Sequence, residues 1–404
     1  MKNIDHQTKL IKGGQLHLHY LFIYFLALGC SLGFVLTVSF YLKNISFNCQ
    51  FNQISIESQI TISPPPPTIS LFLPISNKAT AGIVPEDETV SLTGLISNQT
   101  IPRTDYVLHN MADKELLWRA SMVARVSEFP FKLTPKVAFL FLTKGSLPLA
   151  PLWELFFKGH EGLYSIYVHY SPSFNGTVPV DSVFYGRRIP SKETRWGEFT
   201  IVEAERRLLA SALLDFSNQY FILLSESCIP LFNFSTIYNY LMGSEKSFVQ
   251  SFDLRGPDGR YRYNPRMSPT IMLDQWRKGS QWFQMKRNIA IEVVSDRKYF
   301  PVFQRFCKGY CYADEHYLPT FVGIKFLKKT SNRTLTWIDW PKRGPHPSHY
   351  GRMDVTVNFL ESLRNKGPCD YNGKENSICF LFARKFVPNA LPRLLRFAPK
   401  LMKF

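Results

Sequence analysis

Lys136-Val-Ala-Phe-Leu-Phe-Leu-Thr143 is a run of six apolar residues that stops on a polar one. A run this short, apolar at every position, suits a strand buried on both faces of a parallel sheet; a helix needs a longer periodic stretch. Tyr164-Ser-Ile-Tyr-Val-His-Tyr170, Ser182-Val-Phe-Tyr185 and Tyr220-Phe-Ile-Leu-Leu-Ser225 repeat the pattern. Between the last two, Thr200-Ile-Val-Glu203 reads as a capping box, and Ile201, Leu208, Leu209, Ala212 and Leu213 share one helical face. Strands that alternate with helices predict an α/β fold, in which ligands collect at the carboxyl ends of the strands. Thr143, His169, Ser225 and Glu226 at the strand exits are therefore predicted to line one crevice. The chain has no G-x-G-x-x-G, Walker loop or G-x-S-x-G, so dinucleotide, nucleoside-triphosphatase and serine-hydrolase chemistry lose their support.

Upstream, Tyr20 to Leu42 carries no charged residue. At about 1.5 Å per residue such a helix crosses a bilayer core. A cleaved signal peptide is the alternative, but the run is long and Ser39-Phe40-Tyr41-Leu42 offers no small-x-small cleavage site. Lys2, Lys9 and Lys12 precede the run against one Asp5, and only Lys43 follows closely. The positive-inside rule then predicts a cytosolic tail (1–19), a signal anchor (20–42) and a lumenal remainder. Residues 43–130 read as a stem, because Ser63-Pro64-Pro65-Pro66-Pro67 imposes extended geometry among residues with little to bury. Residues 131–404 are dense in aromatic and aliphatic side chains and suffice for one large domain.

Sequons at Asn44, Asn98, Asn175, Asn233 and Asn332 agree with a lumenal location. So do the cysteines outside the span: Cys49, Cys228, Cys307, Cys311, Cys369 and Cys379 form an even set, which predicts disulfides of unspecified pairing. Cys307, Cys311 and His316 alone suggest zinc only weakly, for want of a second pair at ligand spacing. The net charge of +17 is spread without a long basic run, so nucleic acid is not an expected partner and anionic small ligands are.

Late in the chain, Cys307-Lys-Gly-Tyr-Cys311-Tyr-Ala-Asp314-Glu315-His316-Tyr317 sets two adjacent carboxylates among aromatic rings. A carboxylate in such surroundings can serve as a general base, although an Asp-Glu pair is more often a solvated turn or a helix start.

Several segments read together: Arg195-Trp-Gly-Glu198, Glu203-Ala-Glu-Arg-Arg-Leu-Leu209, Leu223-Leu-Ser-Glu-Ser-Cys-Ile-Pro230, Trp276-Arg-Lys-Gly-Ser-Gln-Trp-Phe283, Tyr312-Ala-Asp-Glu-His316 and Cys379-Phe-Leu-Phe-Ala-Arg-Lys-Phe386. From about residue 135 onward the chain resembles the core-2/I-branching β-1,6-N-acetylglucosaminyltransferases, glycosyltransferase family 14, and most of all their plant brittle-culm-like members. The resemblance implies a GT-A type fold, a type II Golgi layout, and inverting transfer from a UDP-sugar to a glycan or glycoprotein hydroxyl. It also implies no divalent metal and no other cofactor, and the sequence beyond the stem indeed contains no D-x-D.

By that resemblance Glu315 is the general base and Asp314 its support, expected to accept backbone N–H bonds at a helix start. Lys385 is the expected diphosphate ligand, with Arg364 or Arg384 beside it; cations at the leaving oxygens replace a metal's charge. Trp196, Trp282, Phe283, Arg260 and Arg262 are the candidates on the acceptor side. Where animal relatives hold the nucleoside with an aspartate, this chain has His169-Tyr170, so the uridine contacts do not carry over. The donor sugar is left open among N-acetylglucosamine, xylose and glucuronic acid. A non-catalytic glycan-binding Golgi scaffold is the reading from another class.

Overall fold

The computed structural model describes residues 109–123, 125, 130–340 and 346–404. The predicted tail and membrane span, Asn44, Asn98, Cys30, Cys49 and most of the stem lie outside them. Among the described residues no helix is long and apolar enough to cross a membrane.

Three of the four predicted strands form. β1 (Lys136–Leu142), β2 (Tyr164–His169) and β3 (Asn218–Ser225) are parallel, and β5 (Gln284–Lys286) closes the edge antiparallel, in the order β2-β1-β3-β5. Val137 to Phe141 are all buried, as the unbroken apolar run requires of a central strand covered on both faces. The fourth run, Ser182 to Tyr185, is not a strand but a series of turns, in which Tyr185 N–H returns to Ser182 O at 3.0 Å. Asp181 before it and Gly186 after it bound a fragment too short to pair, and Ser182 Oγ is held instead by Glu154 Oε1 at 2.6 Å.

On one face, α2 (Ala150–Phe157) sets Trp153, Phe156 and Phe157 edge-on against Phe139, with centroids 4.9 to 6.2 Å apart. Such pairs add about 0.5–1.5 kcal/mol each beyond area burial. α3 (Thr200–Leu213) contacts all three parallel strands and also packs against α1 (Asp113–Ser121) and α5 (Arg287–Val294). It is therefore buried all round from Ala204 to Leu213, not on one face. The expected capping box is absent. Thr200 is already helical, its Oγ1 accepts Arg195 N–H at 3.0 Å, and Glu203 accepts from Gln304 Nε2 at 2.8 Å. α1 falls within the span read as stem, so the folded domain starts at least as early as Asp113.

A second sheet, in the order β4-β9-β6, joins β4 (Ile229–Pro230), β9 (Phe382–Arg384) and β6 (Thr336–Ile338), while β7 (Cys369–Tyr371) and β8 (Lys374–Asn376) pair antiparallel by themselves. It brings the far C-terminal segment back to the exit of β3, where Phe386 N–H donates to Ser227 O at 2.9 Å. Cys307 pairs with Cys311 and Cys369 with Cys379, whereas Cys228 is a buried free thiol, so the even set does not pair throughout.

Candidate active site

Residues 278–283 connect the two ends of the site. At one end Lys278 Nζ reaches Glu315 Oε2 at 2.6 Å, and Gly279 N–H donates to the Glu315 carbonyl at 2.9 Å. In the middle Gln281 Nε2 donates to Glu205 Oε1 at 2.9 Å. At the other end the Trp282 ring lies 3.8 Å from the Arg384 guanidinium carbon.

Glu315 closes a 3-10 turn, Ala313–Glu315, which lies after α6 (Phe300–Phe306) and just before α7 (Tyr317–Lys325). Its Oε2 also accepts from Arg262 Nη1 at 2.6 Å, so two cations grip one oxygen. Among the described residues no bond falls on Oε1. Charge-assisted bonds of this length fix a carboxylate's orientation, here through one oxygen.

Tyr312, one turn earlier, has a left-handed backbone (φ 50°). Its ring lies 4.5 Å from the Arg262 guanidinium carbon and 5.3 Å, edge-on, from the Trp196 ring. Gly197 runs so close that a Cβ there would sit 3.2 Å from Tyr312 Cε1, and its φ of +77° also favours glycine. Trp196 itself is 56% exposed, an aromatic face open to solvent beside the candidate base.

No side chain caps the 3-10 turn or α7, and the backbone N–H that the Asp314 carboxyl accepts is its own. Its Oδ1 is buried with no partner among the described residues. Burial, and then the Glu315 charge, push its pKa up to about 6.

At the strand exits, Ser225 Oγ pairs with Ser227 Oγ at 3.0 Å, and the Glu226 charge reaches Arg384. Arg384 is half-buried, and its removal from water lowers its pKa. Lys385 follows at the end of β9, its carbonyl accepting Tyr350 N–H at 2.9 Å. Burial, followed by the charges of Lys385, His346 and Arg384, lowers the pKa of His349. His346 in turn stands 5.3 Å from Trp196. The cationic end of β9 and the Glu315 turn are thus linked by residues 278–283, and Trp196 stands between His346 and Tyr312.

Other predicted residues lie elsewhere. Thr143 Oγ1 is turned onto Gly145, donating to its carbonyl at 2.9 Å and accepting its N–H at 3.2 Å. His169 is fully buried, and its Nε2 accepts from Lys192 N–H at 3.2 Å and Arg207 Nη1 at 3.3 Å. Burial and the Arg207 charge lower its pKa to about 4, so it is a neutral structural ring and not a crevice ligand. Arg364 donates to Leu231 O and Leu401 O and covers the Phe232 ring at 4.2 Å, which ties down the C-terminal tail and takes it out of the diphosphate set.

Phe283 is core, with its carbonyl on Leu223 N–H at 3.1 Å, so it offers no face to a sugar. Arg260 forms two bonds to Asp253, at 2.7 and 2.5 Å, rather than joining Arg262 at Glu315. Of the sequons, Asn175 sits on an exposed loop. Asn233 Oδ1 caps α4 (Phe234–Met242) by accepting Thr236 N–H at 2.9 Å, and Asn332 Oδ1 accepts Ser251 N–H at 2.6 Å. His316 is buried, with Nδ1 2.8 Å from Arg277 O, and joins no zinc site with the disulfide-bonded Cys307 and Cys311. Among the described residues no group of three His, Cys, Asp or Glu is placed to hold a metal ion.

Lys278, Gln281, Glu205 and Tyr312 were not among the residues predicted to form the site. The segments that carry them were visible as motifs, but nothing local in the sequence shows that they converge on Glu315.

A family model described as Core-2/I-Branching enzyme matches residues 137–364. The chain is also similar to Glycosyltransferase BC10 of Oryza sativa subsp. japonica, 37% identical over 322 residues that cover 67% of this chain and 79% of the rice protein. The mixed α/β sheet with its mostly parallel strands is thus the core of a glycosyltransferase domain. Within that class, the chain belongs to the Core-2/I-branching enzyme family.

Proposed function

We propose that this glycosyltransferase is an inverting, metal-independent enzyme of GT-A type that moves a sugar from a UDP-sugar to a hydroxyl of a glycan or glycoprotein. N-acetylglucosamine is the favoured sugar, with glucuronic acid and xylose as alternatives. The enzyme is placed in the Golgi as a single-pass type II membrane protein, held by residues 20–42 with its catalytic domain in the lumen. The observation that carries the reaction is the run 278–283, which is bonded to Glu315 at one end and packed under Arg384 at the other.

In this mechanism Glu315 Oε1 takes the acceptor hydroxyl's proton while that oxygen attacks the anomeric carbon. The new C–O bond forms as the bond to the UDP phosphate oxygen breaks, and the single displacement inverts the anomeric centre. Lys385 and Arg384 hold the departing diphosphate, a fixed positive charge where negative charge grows. The missing D-x-D supports giving that task to side chains. Arg262 and Lys278 orient the base, and Trp196 offers an apolar face to a sugar ring beside it.

The test is to incubate the full-length chain with UDP-N-acetylglucosamine, UDP-xylose and UDP-glucuronic acid, with EDTA and with acceptor glycans, and to analyse the products for mass, linkage and anomeric configuration. Transfer in EDTA with inversion is expected. Strict dependence on added manganese, or retention, would contradict the mechanism.

A further inference from the structure

Glu205, Arg206 and Arg207 are consecutive on α3 and all buried, with 2%, 6% and 4% exposure. Successive helical residues point about 100° apart, so the three side chains leave in three directions. Arg207 binds Asp113 with two bonds, at 2.9 and 2.7 Å. Arg206 donates to Val294 O at 2.6 Å and covers the Phe300 ring at 3.7 Å. Both arginines are engaged away from Glu205. Glu205 accepts from the neutral amide of Gln281 and faces Asp314 and Tyr317. Among the described residues no cation bonds to it.

α3 packs directly on the Ala313–Glu315 turn, where Asp314 Oδ1 is also buried and unpartnered. Two carboxyl groups thus lie under the candidate base without a cation of their own. Beyond Glu205 and its partners, the groups around Asp314 are Glu315, Lys278 and Arg262. A buried carboxyl group without a cation favours the acid over the carboxylate.

We propose that Glu205 is a positioning residue that holds the catalytic turn as a neutral carboxylic acid, acting on Glu315 through Gln281 and Asp314. The proposal rests on Glu315 being the base. Burial raising the Glu205 pKa well above the ordinary carboxylate range agrees with it, as does the raised Asp314. A carboxyl group whose folded pKa lies above its unfolded value contributes stability at low pH, and loses it as pH rises through the folded pKa.

The experiment compares full-length wild type with Glu205→Gln, the permanently neutral isostere. The melting temperature of Glu205→Gln minus that of wild type is expected to grow by several degrees between about pH 5 and about pH 9. A gap that stays flat with pH, or a Glu205→Gln chain that fails to fold, would overturn the proposal. In the transfer assay Glu205→Ala should lower kcat by on the order of tenfold, and Glu205→Gln should recover most of that loss and extend activity to higher pH. A kcat equal to wild type in Glu205→Ala would overturn the positioning role. The melting comparison does not depend on Glu315. A pH-dependent gap together with full activity in Glu315→Gln would therefore identify the base assignment as the failure, and with it the positioning role.

Discussion

Asp113 and Glu315 are each held by one arginine and one lysine, but the two grips leave different things open. Asp113 uses both oxygens: Arg207 Nε reaches Oδ1 at 2.9 Å and Nη2 reaches Oδ2 at 2.7 Å, with Lys192 Nζ also on Oδ2 at 2.5 Å. The side-chain bond from Arg207 leads in lowering its pKa to about 2. The pair ties α1 to α3. Glu315 is held through Oε2 alone, and its surroundings include the exposed Trp196 ring. A fully engaged carboxylate clamps the fold, whereas one engaged through a single oxygen is oriented and still open to a reactant.

Breaking the grip therefore has opposite consequences in the two places. Lys278→Met and Arg262→Ala should each lower the transfer rate by roughly 10- to 100-fold, because they misorient the base. Their melting temperatures should move less than that of a clamp variant. A large melting shift with a normal rate would make the Glu315 grip a second structural clamp.

Asp113→Ala should instead lower the melting temperature while sparing transfer. Leaving Arg207 buried and unpaired costs roughly 1–3 kcal/mol once the partial exposure of Asp113 is discounted. For a domain of this size that is roughly 2–5 °C in a thermal scan. The pH dependence has a definite sign. The folded pKa of Asp113 lies below its ordinary value of 3.8, at about 2. The pair therefore contributes fully above 3.8, and wild type and Asp113→Asn should converge in stability as pH falls from there toward about 2. A stability gap that persists unchanged across that window would break the clamp reading.

The smallest expected effect is at Trp196. Trp196→Ala should raise the acceptor KM by a few-fold, in line with about 1 kcal/mol for an exposed aromatic contact, with kcat nearly unchanged. An unchanged KM would remove Trp196 from the acceptor side.

The parallel strands were legible in the sequence because burial on both faces demands unbroken apolar runs, as in Val137 to Phe141. Ser182 to Tyr185 misled because three apolar residues after a serine fit a turn as well as a strand, and only pairing partners decide. α3 was read as amphipathic, but its polar residues face other helices and the Ala313–Glu315 side of the domain. The Asp314-Glu315 turn stood out locally. Its partners did not: Arg262 is 53 residues away and Lys278 is 37, and no local pattern encodes such a meeting. His169 and Arg364 carried the right chemistry at plausible positions, but backbone groups nearby had already claimed their hydrogen bonds.

In the proposed mechanism Glu315 is the base of a reaction whose leaving group is held elsewhere, at Lys385 and Arg384. The most direct measurement pairs a transfer assay with UDP calorimetry on one preparation of Glu315→Gln. Transfer should fall by at least about 10²-fold, the usual weight of a general base, while UDP binds as it does to wild type. Transfer that survives the change would contradict the assignment.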